Sequence, residues 1–267
     1  MMRLVVSLAV TLGLAMAAQA EPRKKLLLVS TGPDGHPAAT HEYLAGLRVL
    51  AKCLEPVKEI EVTSVKADEP WKEGPELMAR ADGVVLFVTE GAKWLQNDPA
   101  RLKALQQVAA RGGGLVCIHW AMGTRDAKPI DDFLKLFGGC HGGPDRKYQV
   151  LEATLEVADP QHPIVAGCRD LKVKDEFYYK LKFVPPEGTI KPVLRVAIDG
   201  QKETVAWSWE RPDQGRSFGF SGLHFHDNWK HPEYRRLVAQ GVLWTLKLPV
   251  PKEGLVVEVK EEDLRLK

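Results

Sequence analysis

The stretch that decides the fold is Arg111–Thr124, with the sequence RGGGLVCIHWAMGT. Its apolar run, Leu115–Ile118, follows a group of glycines, which is typical of a strand buried on both faces of a parallel sheet. The glycines predict the end of a helix and a turn into this strand. His119 follows the strand directly. Because ligands of open α/β sheets bind at the carboxyl ends of the strands, His119 is a candidate site residue, although a histidine here can also simply cap a loop.

On both sides of this stretch, apolar segments of strand length alternate with segments of helical period. In the first half, strands are predicted at 26–29, 60–65 and 83–88, and helices at 41–54, 71–81 and 97–111. This order implies a mostly parallel, doubly wound sheet with helices on both faces. In the second half, alternation at 148–157, 193–198 and 204–209 predicts antiparallel strands, and a last helix is predicted at 232–246.

The composition is that of an ordinary globular protein and gives no sign of nucleic-acid binding. The chain has 267 residues, of which 45% are hydrophobic and 27% charged, with a net charge of +2. The basic residues form no stripe, so we expect no nucleic-acid partner. The four cysteines, which show no CxxC spacing, are predicted to be buried thiols, with a single disulfide left open: Cys53, Cys117, Cys140 and Cys168. The oligomeric state is not fixed, and a homodimer is compatible with the sequence.

Residues 1–20 are predicted to be a secretory signal peptide. Arg3 gives a positive start, Leu4–Met16 is mostly apolar, and Ala18-Gln19-Ala20 resembles a cleavage site. The apolar run is too short to predict a membrane span. We therefore expect an exported protein, periplasmic or secreted, with one domain over residues 21–249 and an extended tail over 250–267.

Three side chains are the candidate catalytic residues: His119, Glu176 and His224. His119 and His224 follow strands that are predicted to lie close in the sheet, and Glu176 lies in an acidic and aromatic run. Histidine transfers protons near neutral pH, and a carboxylate can act as a general base or orient an imidazole. Glu176 can instead pair with Lys174 or Lys180.

A divalent metal ion is the one cofactor that the histidine pattern suggests. On an extended segment, His224 and His226 share a face, which is a spacing found at metal sites. His141 lies in a glycine-rich stretch that is predicted to be a flexible loop. The candidate metal ligands are His119, His141, His224 and His226. His226 can equally be a surface residue.

Aromatic side chains next to these polar groups suit a sugar, whose C–H faces stack on rings while its hydroxyls form hydrogen bonds. The candidate substrate-binding residues are His141, Tyr178, Arg216 and Trp120. Arg216 can hold a carboxylate or a hydroxyl, or pair with an acid inside the fold. The loop after the first strand carries His36 and His41, and His41 is interpreted as the start of a helix.

Five motifs, in this order, resemble the ThuA-like (trehalose-utilisation) family. They are Gly112–His119, Gly138–His141, His162–Ile164, Asp175–Tyr178 and the closing run Trp207, Gly215-Arg216 and Gly222–His224. The second lacks the aromatic residue that usually precedes its histidine. The resemblance covers most of the chain, from the first strand to the last helix.

This resemblance implies a flavodoxin-like fold of the class I glutamine amidotransferase type, a three-layer α/β sandwich with a mostly parallel central sheet. Amidotransferases carry a cysteine nucleophile in a sharp turn from strand to helix. Here His119 takes that place, and Cys117 lies inside the strand. Glutaminase activity is therefore not expected, because an imidazole without a thiol does not support that acyl transfer.

The family name links the protein to disaccharide metabolism. We expect an exported enzyme that acts on a keto-disaccharide or a glycoside by histidine and glutamate acid–base chemistry, as an isomerase, lyase or hydrolase. The alternative is a non-catalytic sugar-binding or accessory protein that uses the same cleft.

Overall fold

The computed structural model describes residues 22–266, so the predicted signal peptide lies outside the described residues. The strands are β1 (Lys24–Ser30), β2 (Ile60–Lys66), β3 (Gly83–Phe87), β4 (Gly114–Ile118), β5 (Gly123–Thr124), β6 (Gly139–Gly142), β7 (Lys147–Val157), β8 (Leu171–Tyr179), β9 (Lys182–Phe183), β10 (Lys191–Ile198), β11 (Gln201–Glu210) and β12 (Arg216–Phe220). The helices are α1 (Tyr43–Leu54), α2 (Gly74–Arg80), α3 (Gly91–Gln96), α4 (Pro99–Ala110), α5 (Ile130–Phe137) and α6 (Pro232–Thr245).

The central sheet has nine strands in the order β2-β1-β3-β4-β12-β11-β10-β7-β8. The first five are parallel, and Leu86 of β3 pairs with Cys117 of β4 in that register. The remaining four are added antiparallel. The predicted parallel sheet with antiparallel additions from the second half is therefore confirmed. A small second sheet joins β5, β6 and β9.

Strand β1 shows why the sheet carries helices on both faces. Leu26 and Leu28 point into one core with α1 and α6, while Leu27 and Val29 point into another with α2, α3, α4 and α5. All four side chains are buried. A parallel strand covered on both sides is apolar at every position, which is why it reads as a continuous hydrophobic run.

The prediction of a flexible loop around His141 was wrong. Residues Gly139–Gly142 form strand β6, and all four are buried. The strand pairs with β5 on one side and β9 on the other. A Cβ atom at Gly139 would lie 2.6 Å from the Trp207 ring. The glycines here permit close packing against neighbouring side chains, and they do not produce a mobile segment.

The tail that follows residue 249 packs into the core of the domain and does not simply extend along its surface. Val257 is 3% exposed and belongs to the core beside α1 and α6. Arg235 of α6 donates a hydrogen bond to the carbonyl of Val257 at 2.8 Å. Residues Glu261–Leu264 form a short 3-10 turn.

The cysteines are free thiols, with Cys53, Cys117 and Cys140 buried and Cys168 half-buried. Of the helices within residues 22–266, none has the length and apolar character needed to span a bilayer.

We predict that Gly91→Ala destabilises the protein, because the added methyl group would overlap the backbone carbonyl of Ala121, in the 3-10 turn that begins at His119. Backbone atoms there cannot move aside, and overpacking of this kind costs about 1–3 kcal/mol. Urea unfolding measures the effect. The control is Gly32→Ala, whose methyl group would meet the flexible Lys66 side chain at 3.4 Å. Equal stability of the two variants would contradict the packing argument.

Candidate functional site

His119 lies at the carboxyl end of β4, where the chain turns sharply into a 3-10 turn. Its φ of 49° is in the left-handed region, which costs a non-glycine residue about 1–2 kcal/mol. The imidazole is buried, and its Nδ1 lies 2.6 Å from the carbonyl oxygen of Ser221, just after β12. The strained backbone and this hydrogen bond together fix the direction of the ring.

Two further histidines meet His119 at this end of the sheet. The Nε2 atom of His41 lies 3.0 Å from His119 Nε2, and His224 Nδ1 lies 3.0 Å from His41 Nε2 and 3.2 Å from His119 Nε2. The Glu176 carboxylate lies 3.7 Å from His119 Nε2 and 3.6 Å from His224 Nδ1. Three ring nitrogens thus form a nearly equilateral triangle beside a carboxylate. We call this group the histidine triangle.

The hydrogen bonds of the outer ring nitrogens assign the tautomers. His119 Nδ1 faces a carbonyl, and His41 Nδ1 lies 2.7 Å from the carboxylate of Asp34, so both Nδ1 atoms carry hydrogen and donate it. The Nε2 atoms of His119 and His41 therefore face each other with lone pairs at 3.0 Å. A cation between them would relieve this repulsion.

The donor set fits a divalent transition metal. With metal–nitrogen distances of about 2.0–2.1 Å, separations of 3.0–3.2 Å correspond to angles of roughly 95–105° at the ion. These angles lie between octahedral and tetrahedral geometry. His41, His119 and His224 can therefore hold an ion together, with the Glu176 carboxylate beside it.

Asp34 holds His41 in place from behind. Besides the His41 bond, the carboxylate accepts hydrogen bonds from the Tyr43 hydroxyl at 2.5 Å and the Thr89 hydroxyl at 3.1 Å, and it lies 2.8 Å from His36 Nδ1. Although burial raises the pKa of Asp34, the hydrogen bonds from His41 and Tyr43 hold it well below its usual value. A carboxylate behind a histidine is the usual support of a metal ligand.

Asp175 holds Glu176 and His224 together. Its Oδ1 accepts from the backbone N–H groups of Glu176 at 2.9 Å and His224 at 3.1 Å. Its Oδ2 accepts from the N–H of Leu223 at 2.7 Å and the hydroxyl of Tyr234 at 3.0 Å. The carboxylate is fully buried, and burial raises its pKa to about 6.

Burial also sets the charge of the site. It lowers the pKa of His119 well below its usual value and that of His224 to about 4, so both rings are neutral at neutral pH. Neutral imidazole is the form that binds metals. Burial, with the nearby charge of Asp175, raises the pKa of Glu176 to about 7.

A cleft opens beside the histidine triangle. Its lining residues are His36, His41, Trp120, Arg125, His141, Arg146, Tyr148, Glu176 and Tyr178. The Tyr178 ring stacks between His119 and His141, with centroid distances of 4.6 and 3.8 Å, and its hydroxyl lies 3.0 Å from His119 Nε2. Polar groups and aromatic faces therefore meet in one concave site.

The structure brings together most of the residues singled out from the sequence. His119, Glu176 and His224 converge, and Trp120, His141 and Tyr178 line the adjoining cleft. Cys117, which was not expected to act as a nucleophile, is buried inside β4. Burial raises the pKa of its thiol well above the usual value.

Two candidates lie elsewhere. Arg216 begins β12, at the opposite end of the sheet, where it pairs with Glu210 at 3.2 Å and lies over the Trp244 ring. His226 points away from the triangle, since its Nε2 lies 2.8 Å from the carbonyl of Leu264. His141 is in the cleft, but it is not among the side chains that converge on a metal position.

Sequence reasoning missed His41 and Asp34. Both lie in the loop after β1, and His41 has a φ of 53°, so it forms a turn of its own before α1 begins at Tyr43. Its N–H donates to the carbonyl of His224 at 3.0 Å, a contact between residues far apart in sequence. The available signal was topological, because this loop opens at the same strand ends as His119.

The fold and the site define a three-layer α/β protein with a polar, histidine-rich cleft at the carboxyl end of a mostly parallel sheet. The family model of ThuA, described as trehalose utilisation, matches residues 27–245, so the chain belongs to the ThuA family. Among curated proteins, none matches the chain.

Several solved structures are similar to this chain. A putative ThuA-like protein from Bacteroides uniformis superposes with a TM-score of 0.65 at 15% identity, covering 87% of this chain and 95% of that chain. The glutaminase domain of Trypanosoma brucei CTPS with bound acivicin has a TM-score of 0.45 at 11% identity, covering 88% of this chain and 100% of that one. PurLQS from Thermotoga maritima has a TM-score of 0.45 at 13% identity, covering 84% and 98%.

We predict that Asp175→Asn lowers the free energy of unfolding by several kcal/mol, because an amide has only one oxygen for four buried donors, and each unsatisfied donor costs about 1–3 kcal/mol. Chemical denaturation measures this loss. Asp227→Asn is the matched control, since that exposed carboxylate pairs only with Lys230 at the surface. A stability of Asp175→Asn within the error of the control would refute the positioning role of Asp175.

Proposed function

We propose that this protein is a carbohydrate-active enzyme in which His41, His119 and His224 hold a divalent metal ion and Glu176 transfers a proton on the substrate. The observation that carries the proposal is the histidine triangle, in which the Nε2 atoms of His41 and His119 lie 3.0 Å apart beside a carboxylate. Side chains arranged in this way, in a cleft, are typical of a metal-assisted acid–base site.

The metal would supply a Lewis acid that polarises a carbonyl oxygen of the substrate. The chain itself supplies orientation. Asp34 and the Ser221 carbonyl fix the rings of His41 and His119 through their Nδ1 atoms, so the Nε2 atoms point to one position without rearrangement. Buried side chains keep water away from all three rings.

Glu176 is placed for proton transfer between the triangle and the cleft. Its side chain is 12% exposed, so one edge reaches the space that a substrate would occupy. Its carboxylate would take a proton from the carbon next to a substrate carbonyl. In isomerisation, Glu176 would return the proton to the former carbonyl carbon while the hydroxyl proton of the deprotonated carbon passes to the carbonyl oxygen. In elimination, the C–O bond one carbon beyond the deprotonated carbon would break, and the leaving oxygen would take up the proton that Glu176 accepted.

Membership of the ThuA family, described as trehalose utilisation, supports a carbohydrate substrate, and the aromatic lining of the cleft agrees with it. A sugar ring would present C–H groups to Trp120 and the exposed Tyr148, which both line the cleft, while its hydroxyls reach polar side chains. A keto-disaccharide or keto-glycoside would bring the carbonyl that the proposed chemistry needs.

The first test is the metal content. We expect the wild type, purified without a histidine tag, to bind about one divalent ion per chain, and His119→Ala and His224→Ala to lose it, because each removes one of three ligands. Inductively coupled plasma mass spectrometry measures the ion.

The control is His162→Ala. That buried ring accepts a hydrogen bond from the Ile164 N–H at 3.2 Å and lies 3.0 Å from the Ser208 hydroxyl, outside the triangle. It should keep the metal and lose only stability. Metal retained by all three variants would refute the assignment of the ligands.

The second test is turnover. With keto-trehalose, keto-glucosides and the anionic (uronate or phosphate) derivatives of both as substrates, Glu176→Gln should lower the rate by about a hundredfold or more and leave the metal content unchanged, because only the proton acceptor is lost. Glu152→Gln, on the neighbouring strand and paired with Lys172 at the surface, is the control. If the wild type binds these sugars and never converts them, with or without added metal, the protein is a sugar-binding module and the enzyme proposal fails.

Export is part of the same proposal, since residues 1–20 have the pattern of a signal peptide. We expect the mature chain to begin near Glu21. Mass spectrometry of the protein recovered outside the cytoplasm gives its mass, and an intact amino terminus at Met1 would count against export.

A further inference from the structure

One cationic side chain of the cleft is not used by the metal chemistry. Arg146 lies in the turn between β6 and β7 and lines the cleft together with Trp120, His141 and Glu176. Its side chain is half-buried, and its guanidinium carbon lies 6.0 Å from the centroid of the Trp120 ring. Burial is the largest cause of the lowered pKa of His141, and the positive charge of Arg146 is the next. The charge of Arg146 therefore acts on a side chain inside the cleft.

Two cations near the cleft are ion-paired, whereas Arg146 is not. Arg125 pairs with Glu90 at 2.8 Å, and Lys182 pairs with Asp145 at 2.8 Å. Within residues 22–266, no carboxylate lies within 4.0 Å of the Arg146 guanidinium, which donates one hydrogen bond, to the carbonyl of Gly143 at 3.2 Å. A half-buried arginine without a counter-ion leaves most of its donors free for an incoming group.

We infer that the substrate is an anionic sugar whose oxyanion group, a carboxylate or a phosphate, is held by Arg146. This inference rests on the proposed function and names its substrate class. The planar guanidinium matches both groups with two parallel hydrogen bonds. The sugar ring would lie against Trp120 and Tyr148, which places its far side next to Glu176 and the histidine triangle.

A neutral sugar leaves the arrangement incomplete. Its hydroxyls can accept hydrogen bonds from Arg146, but they cannot neutralise a charge that is partly removed from water. Glu176, the acidic side chain among the residues that line the cleft, is 3.7 Å from His119 and faces the triangle. An anion from the substrate is the group that completes the charge balance at the Arg146 side.

The test is calorimetric titration of the full-length mature protein, loaded with Zn²⁺, with D-glucuronate, glucose 6-phosphate and D-glucose. We expect at least one of the two anionic sugars to bind tenfold or more tightly than glucose, as a charge-assisted pair requires. The anion that binds more tightly distinguishes a carboxylate from a phosphate. Because the interaction is between charges near the surface, the preference should shrink as salt is raised.

Variants locate the preference. Arg146→Gln should bind anionic and neutral sugars alike while it keeps its metal content, and Arg146→Lys should retain part of the preference, because it keeps the charge and loses the planar fork. Arg169→Gln, an exposed arginine away from the cleft, is the matched control and should behave as the wild type.

Equal affinity for charged and neutral sugars, no binding of any of them, or a preference that survives in Arg146→Gln would each overturn the inference. The outcome is independent of catalysis. An Arg146-dependent preference in a protein that binds no metal and turns nothing over would support the anion site while the proposed function fails. Metal-dependent turnover of neutral sugars alone would do the reverse.

Discussion

A single buried carboxylate, that of Asp175, is the interaction on which the site depends. Strand β8 is separated from β12 by three strands, and four strand spacings of about 4.8 Å place the two about 19 Å apart in a flat sheet. Yet Asp175 of β8 accepts a hydrogen bond from the Leu223 N–H, just after β12, at 2.7 Å. The antiparallel half of the sheet must therefore curl over the carboxyl ends of the parallel half, and Asp175 fastens it there.

Two separate regions meet because of this curl. The parallel half brings His119 and the loop with His41, which are positioned by backbone strain and by Asp34. The antiparallel half brings Glu176 and Tyr178 on β8. The depth of the resulting pocket removes the imidazoles from water and keeps them uncharged, and it disfavours the ionised form of Glu176. The curl of the sheet therefore explains both the convergence of the site residues and their shifted pKa values, because it buries them.

The sequence was sufficient for the parallel core and for part of the site. The glycine-bounded run before His119 and the capped start of α4 are local signals, and the residues that follow strands are located once the sheet is known. The sequence did not identify His41 as a site residue, because its position depends on a left-handed turn and on a hydrogen bond to the carbonyl of His224. No local sequence pattern encodes either feature. Arg216 was chosen from a motif, but it begins its strand, so it lies at the other end of the sheet from His224.

The stiffness of the histidine triangle has a consequence for ion selectivity. Its edges of 3.0–3.2 Å are held by a strained turn at His119, a second left-handed residue at His41 and hydrogen bonds behind both rings. In the proposed metal site, such a triangle would select ions by their radius. Ca²⁺, which prefers six to eight oxygen ligands at about 2.3–2.6 Å, would be too large and too hard for it. Among first-row divalent ions, which differ less in radius, the nitrogen ligands and the supply of metal in the compartment where the protein folds would decide which ion is bound.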